Sequence, residues 1–244
     1  MLVHIFGAKC IGIDAVKVTV EVDITMGIGI HLCGLGDIAV KESLLRTITA
    51  LQSLNYHIPG KKIVINLAPA DLHKSGSGYD LPIAIGIIAA SQQRTLPLLG
   101  ETLVMGELGL DGSVRPIKGG LPIADFAAKN GFRKCILPYS SALEASGMDG
   151  IDVYGIRSLE DAFGILEGKE EFDSLKVNTA DFDFSREEQP ISYEVDFSDI
   201  IGQEGAKRAM EIAASGGHNI IMIGAPGSGK SSMAKALAGI LPPM

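Results

Sequence analysis

The 244-residue sequence predicts a mixed α/β architecture in two parts: an α+β or mixed α/β domain over residues 1–168, and the opening of a second α/β domain over 196–244. An acidic linker over residues 169–195 joins them. Three observations carry this reading. Strand-like and helix-like periods alternate, with a hairpin among them, as far as Gly168. The apolar period then disappears and acidic residues dominate, as in Asp181-Phe-Asp-Phe-Ser-Arg-Glu-Glu-Gln-Pro190. Beyond that run, an apolar strand pattern, a glycine-rich loop and a helical pattern follow one another from Asn219.

The elements follow in chain order. Val16, Val18, Val20, Val22 and Ile24 alternate with Lys17, Thr19, Glu21 and Asp23, the period-two pattern of a half-buried strand, and a second strand is expected over Met26 to Leu32. Asp37 is placed to cap a helix running to about Ser53, with Val40, Leu44, Ile48 and Leu51 as its buried stripe. Ile63 to Leu67 reads as a buried strand. After a polar loop from Ala70 to Asp80, a helix apolar nearly all round begins near Pro82, whose fixed φ suits a first helical turn. Leu103 to Glu107 and Ser113 to Ile117 are expected to form a hairpin about Asp111-Gly112. A helix from Leu121 to Asn130 stops at Gly131, and Cys135 to Leu137 continues as a strand. Ser141 with Glu144, and Ser158 with Asp161, have capping-box spacing before two short helices, with Val153 to Ile156 as the strand between.

Composition narrows the function classes. A formal charge of −8 and a pI near 5.1 argue against an extended basic face of the kind that displaces phosphate counterions from a duplex. Cys10, Cys33 and Cys135 form no CxxC pair, which fits a reducing compartment and three small core hydrophobes better than a disulfide frame or a zinc site. Met1 to Cys10 lacks a leader pattern and the apolar stretch Leu81 to Ala90 is too short to cross a bilayer, so a soluble, cytoplasmic protein without a membrane partner is expected.

The most specific chemistry lies near the C-terminal end. Gly224-Ala225-Pro226-Gly227-Ser228-Gly229-Lys230-Ser231 satisfies G-x-x-x-x-G-K-[ST] in full, with Ser232 next. The apolar strand Asn219 to Ile223 is expected before it and a helix carrying Met233, Leu237 and Ile240 after it, ended by Gly239 and Pro242-Pro243. Glycines let the backbone wrap so that N–H groups and the helix N-terminus point at a nucleotide phosphate. Lys230 would neutralise the β and γ phosphates of ATP, and the Ser231 hydroxyl would ligate Mg²⁺. Hydrolysis also needs a later acidic residue and commonly an arginine from a neighbouring subunit. Thirteen residues follow Ser231, so the chain is expected to be a fragment with no catalytic residue of its own, one that binds ATP without hydrolysing it.

Longer motifs add a resemblance. Asp199-Ile-Ile-Gly-Gln-Glu204, Gly216-Gly-His-Asn219 and the phosphate loop resemble the opening of the AAA+ module in the Mg-chelatase-like family that includes YifB and ComM. Gly36-Asp-Ile-Ala-Val-Lys-Glu-Ser43, Asn66-Leu-Ala-Pro-Ala-Asp71, Ser77-Gly-Tyr-Asp-Leu-Pro-Ile-Ala84 and Gly106-Glu-Leu108 agree with the same family. The resemblance implies that Ile200 and Ile201 lie near the adenine. It further implies an N-terminal domain on the ribosomal protein S5 domain 2 fold, like the Lon peptidase, and a homo-hexameric ATPase. The partner it implies is single-stranded or branched DNA, remodelled by helicase-type branch migration during natural transformation. A Lon-type Ser-Lys peptidase is opposed by the residues: anchored on Lys74 and Gly76, Gly78 falls at the nucleophile position. Taking Ser77 instead fails at the second element, where Gly119-Gly120-Leu121-Pro122 puts a proline at the lysine position. The alternatives are a metal-chelatase motor subunit, whose usual arrangement lacks such a leading domain, and an active Lon-like serine protease.

Other residues draw attention less strongly. Asp71, His73 and Asp80 share one loop but match no metal-ligand spacing, and read as helix caps and solvated loop residues. His31 and His57 read as structural histidines.

Overall fold

The computed structural model describes residues 1–34, 38–74, 76–178 and 195–241, and divides the chain into two compact units, Met1–Asp183 and Phe184–Met244. The expected cap Asp37, the acidic run Asp181 to Pro190 and the Pro242-Pro243 pair lie outside the described residues.

The first unit is built on a mixed seven-stranded sheet in the order β3-β4-β2-β1-β5-β8-β9. Its strands are β1 (Leu2–Ile11), β2 (Asp14–Thr25), β3 (Ile30–Cys33), β4 (Lys62–Ala68), β5 (Thr102–Val104), β8 (Lys134–Pro138) and β9 (Asp152–Ile156). The pairs β1/β2 and β2/β4 are antiparallel, whereas β3/β4, β1/β5, β5/β8 and β8/β9 are parallel. The register Val3↔Val22 and Ile5↔Val20 puts apolar side chains of β1 and β2 on one buried face, as strand alternation requires. A two-stranded hairpin of β6 (Glu107–Leu108) and β7 (Val114–Arg115) stands apart from this sheet.

Helix α1 (Ile38–Ser53) packs on α2 (Asp80–Ala90), which lies across β1 and β2. Every residue of α2 except Ala89 is buried, as a helix apolar all round must be. Gly86 explains how closely α2 approaches: a Cβ there would stand 2.5 Å from Val22 Cγ2 and 2.7 Å from Ile5 Cδ1. Each fully buried isoleucine on this helix contributes roughly 2 kcal/mol of transfer free energy. Asp80, in the first turn, receives Arg46 Nε at 2.8 Å and Nη2 at 3.2 Å, and the Leu108 N–H at 3.3 Å. That fully buried carboxylate ties α1, α2 and the hairpin together. Burial holds the Asp80 carboxyl above its ordinary value although Arg46 and the Leu108 N–H draw it down. The remaining helices are α3 (Gly120–Lys129), α4 (Tyr139–Leu143) and α5 (Leu159–Leu166).

Several expectations are corrected. The alternation in Leu2–Ile11, unremarked in the sequence, forms a ten-residue strand at the centre of the sheet. The strand expected over Met26 to Leu32 shortens to Ile30–Cys33, because Gly27 and Gly29 adopt φ of 126° and 104° and break the ladder. The strand expected over Leu103 to Glu107 divides between the main sheet and the hairpin, whose turn is shaped by Asp111 Oδ1 accepting from the Ser113 N–H. Asp80 is neither a loop residue nor a solvated one. Ser158 and Asp161 do form a capping box; Ser141 and Glu144 do not. Ser141 Oγ accepts from the Ile117 N–H and donates to the Ile117 carbonyl, and Glu144 accepts from the Gly120 N–H, so both serve long-range ties. Of the three cysteines only Cys135 is in the core; Cys33 is exposed because β3 is an edge strand. The acidic stretch after Gly168 begins with a 3-10 turn, Glu170–Leu175, from which Phe172 packs on Gly164 and Val177 donates its N–H to Val153.

The second unit holds a 3-10 turn (Phe197–Asp199), α6 (Glu204–Gly216) and α7 (Lys230–Leu237), continued by a 3-10 turn, Ala238–Ile240. Met210, Ala213, Met233 and Ala236 are buried between the helices. The strand expected over Asn219 to Ile223 is not formed: a strand exists through its ladder, and among the described residues of this unit no second strand pairs with it. Ile221 and Ile223 are consequently exposed, at 83% and 91%.

Candidate nucleotide-phosphate site

Residues Gly224 to Gly229 form an exposed loop running directly into α7. Gly227 and Gly229 have φ of 78° and 82°, in the left-handed region that glycine enters without steric cost. An added Cβ at either would meet nothing within 4 Å, so the reason for glycine there is backbone conformation and not packing. Gly229 immediately precedes the helix and takes no side-chain cap, and its carbonyl accepts the Met233 N–H at 2.9 Å. A turn about Pro226-Gly227 is closed by the Ser228 N–H donating to the Ala225 carbonyl at 3.3 Å.

Lys230, the first residue of α7, folds back over the loop. Its Nζ donates to the Gly224 carbonyl at 2.9 Å, the Ala225 carbonyl at 2.7 Å and Ser228 Oγ at 3.2 Å. The ammonium therefore sits within the curve of the loop, held by neutral oxygens that an anionic phosphate oxygen would outcompete, since it adds ion–ion attraction to the hydrogen bond. Ser231 and Ser232 are exposed in the first turn of the helix, and Pro226 is exposed at the loop's tip. Backbone dipole, cation and hydroxyl thus converge where an anion is favoured.

A cavity of about 380 Å³ adjoins the loop, lined by Ser228, Lys230 and Gly224 on one side and by Gln203, Ala206 and Met210 on the other. Ile200 and Ile201 do not line it: the Ile200 carbonyl accepts from Lys207 Nζ, and Ile201 is 97% exposed. Gln203, which holds φ of 60° at the start of α6, belongs to the quoted Gly202-Gln203-Glu204 motif, yet nothing in its spacing marks it as a cavity wall. The loop residues suit a Mg·nucleotide: one hydroxyl for the metal, one ammonium for the phosphates and an uncrowded glycine backbone.

In the first unit, Ser77 Oγ donates to a Glu107 carboxylate oxygen, not to a lysine, and Lys74 Nζ is buried against the Pro69 carbonyl. Asp71, His73 and Asp80 are not brought together: the His73 carbonyl accepts from Lys9 Nζ, while Asp80 pairs with Arg46. Among the described residues no group of three or more His, Cys, Asp or Glu side chains could hold a metal ion. Nor is any described helix long and apolar enough to cross a membrane.

A family model described as subunit ChlI of Mg-chelatase matches residues 20–141, and one described as magnesium chelatase, subunit ChlI, matches residues 196–244. The chain is 41% identical to YifB of Escherichia coli strain K12 over 95% of its own length and 44% of that protein's. It is 39% identical to the competence protein ComM of Haemophilus influenzae over 100% of its own length and 47% of that protein's. Over 36% of its length, and 18% of that protein's, it is 31% identical to the DNA repair protein RadA of Escherichia coli strain K12. The chain spans about half the length of YifB and ComM.

Proposed function

Because this chain belongs to the Mg-chelatase ChlI-like family that includes YifB and ComM, we propose that it is the leading part of an ATP-binding AAA+ motor that remodels DNA. The observation that carries the proposal is the loop Gly224 to Ser231, whose two left-handed glycines set the backbone around Lys230 at the start of α7. In this reading the N–H groups of Gly227 to Ser232 cradle the phosphates, Lys230 exchanges its carbonyl partners for phosphate oxygens, and Ser231 ligates Mg²⁺. Ile200 and Ile201 are assigned to the adenine side by family resemblance. Bound Mg·ATP supplies the phosphoryl group whose transfer to water drives the motor, with the acidic and arginine groups for that step furnished by the complete ring. The residues of this chain bind and orient; they do not hydrolyse.

The first unit, taken as 1–168 with its linker over 169–195, is read as a Lon-peptidase-like domain on the S5 domain 2 fold that has no peptidase activity. The mixed sheet is compatible with that fold, and both the Ser77–Glu107 bond and Pro122 in the first turn of α3 speak against Ser-Lys chemistry. DNA as the object of the motor is supported by the names of ComM and RadA, one a competence protein and one a DNA repair protein. A homo-hexameric, cytoplasmic assembly acting on single-stranded or branched DNA completes the proposal. A chelatase motor is the second reading, favoured by the family descriptions.

The test is ATP-dependent strand displacement from a branched DNA substrate by the full-length protein, beside its Lys230→Ala variant. Displacement lost in the variant establishes a DNA motor driven by this loop. ATP hydrolysis without displacement in the parent protein would sink the DNA reading in favour of a protein or chelatase substrate.

A further inference from the structure

We propose that a cavity beside the outer edge of β1, in the first unit, binds an extended peptide carrying a free carboxylate, without cleaving it. Strand β1 is paired with β2 along its whole length, from Leu2↔Asp23 to Ile11↔Asp14. On its other edge β5 registers only at Phe6↔Leu103. Met105 continues the ladder to β8, its N–H donating to the Ile136 carbonyl, and beyond it the chain turns away, the Gly106 N–H going to the Gly78 carbonyl. The edge of β1 from Ala8 onward therefore carries no strand among the described residues, and this stretch walls a cavity of about 480 Å³.

The cavity has the shape and chemistry of a strand-addition slot. One long wall is the backbone of Ala8, Lys9 and Cys10; the others are the turn Gly76 to Tyr79 and the segment Pro116 to Lys118. Three residues of edge at about 3.3 Å each offer roughly 10 Å, room for about three residues of extended chain. Met105, Ile117 and Ile123 give the slot apolar side-chain sites. The carbonyl of fully buried Ala8 takes a long contact from Tyr79 Oη at 3.5 Å, so an incoming N–H would reach it by displacing that hydroxyl.

Charge selects the ligand. Lys118 and Lys9, the latter also donating from Nζ to the His73 carbonyl, line the slot and no carboxylate does. Glu107 is committed to Ser77 and Arg115, and Glu144 to the Gly120 N–H at 2.8 Å. Lys118 is exposed and makes no ion pair among the described residues. An acidic or C-terminal carboxylate on the peptide complements this pair of cations, while a run of arginines or lysines would be repelled. Ser77 Oγ donates to the Glu107 carboxylate and makes no hydrogen bond to a lysine among the described residues, in keeping with binding without hydrolysis.

Cys10 lies in the slot and Cys33 on the distant edge strand, so the chain carries its own reporter and control. The full chain is alkylated with iodoacetamide at pH 8.5 with and without a millimolar mixture of N-acetylated, sequence-randomised pentapeptides ending in a free carboxylate. Modification is read by peptide mapping. The proposal expects Cys10, but not Cys33, to be slowed severalfold, and the protection to fall about five- to tenfold when exposed Lys118 is changed to Glu. The same mixture amidated at its C-terminus should protect less. No protection of Cys10, protection undiminished in Lys118→Glu, cleavage of the peptides, or equal protection by a single-stranded oligonucleotide would each overturn it.

Discussion

Replacing Arg46 by Met should destabilise the first unit by about 2–4 kcal/mol at pH 7.5, and by clearly less at pH 5. Asp80 is fully buried and takes two hydrogen bonds from Arg46, at 2.8 and 3.2 Å, and one from the Leu108 N–H at 3.3 Å. Removing one partner of a buried pair costs roughly 3–5 kcal/mol, because the remaining charge keeps its desolvation penalty. Arg46 itself is 23% exposed, so water screens part of the interaction and the expected cost is lowered to about 2–4 kcal/mol. The pH dependence follows from the direction of the shift. Burial already raises the Asp80 carboxyl, and losing the guanidinium raises it further in the folded state only. The folded variant then binds a proton that the unfolded chain has released, so its deficit is full above the folded value. The deficit shrinks as pH falls toward the unfolded value, where the carboxyl is neutral in both states. Urea unfolding of parent and variant, followed by far-ultraviolet circular dichroism at both pH values, measures this. A deficit below about 1 kcal/mol, or one equal at pH 5 and 7.5, would refute the assignment of Asp80 as the tie between α1, α2 and the hairpin.

Three further outcomes are expected. Gly120→Ala places a Cβ 1.9 Å from the Ser141 backbone carbonyl, where no flexible side chain can yield, and should cost more than the ~1–3 kcal/mol of ordinary overpacking; a thermal melt indistinguishable from the parent would contradict it. Ser158→Ala removes the capping box of α5 and should cost about 1 kcal/mol in the same urea experiment, whereas Ser141→Ala should cost as much through its two ties to Ile117 and not through any cap. Tyr56→Phe removes the 2.6 Å bond from Tyr56 Oη to Glu160, beside the Arg94 pairs with Glu160 and Glu167, and should lower stability by about 1–2 kcal/mol; no change would mean that water replaces the hydroxyl.

The backbone of the Gly224 to Ser231 loop was legible because its glycine spacing specifies a geometry, and Gly227 and Gly229 adopt left-handed φ there. Helices α2 and α3 and strands β2, β4, β8 and β9 were legible from their periods, since burial of one face or of all faces is written in those residues. Strand β1 was harder: Gly7, Lys9 and Cys10 blur its second half, and its centrality comes from β2 and β5, one of them nearly a hundred residues away. The opposite failure befell Asn219 to Ile223, whose apolar pattern is that of a strand but which has no ladder partner among the described residues. Ser141 with Glu144 shows the limit of spacing alone. The same i, i+3 arrangement that caps α5 at Ser158 is diverted there to Ile117 and Gly120, and no local signal distinguishes the two. The Arg46–Asp80 pair spans 34 residues and was invisible for the same reason.

The most direct test of the central claim is equilibrium binding of Mg·ATP to the full-length protein and its Lys230→Ala variant, by isothermal titration. Saturable binding that weakens at least about tenfold in the variant, as loss of a charge-assisted contact to phosphate requires, is the predicted result. Equal affinity in the two proteins, or none in the parent at millimolar nucleotide, would contradict the assignment of Gly224 to Ser231 as the nucleotide-phosphate site.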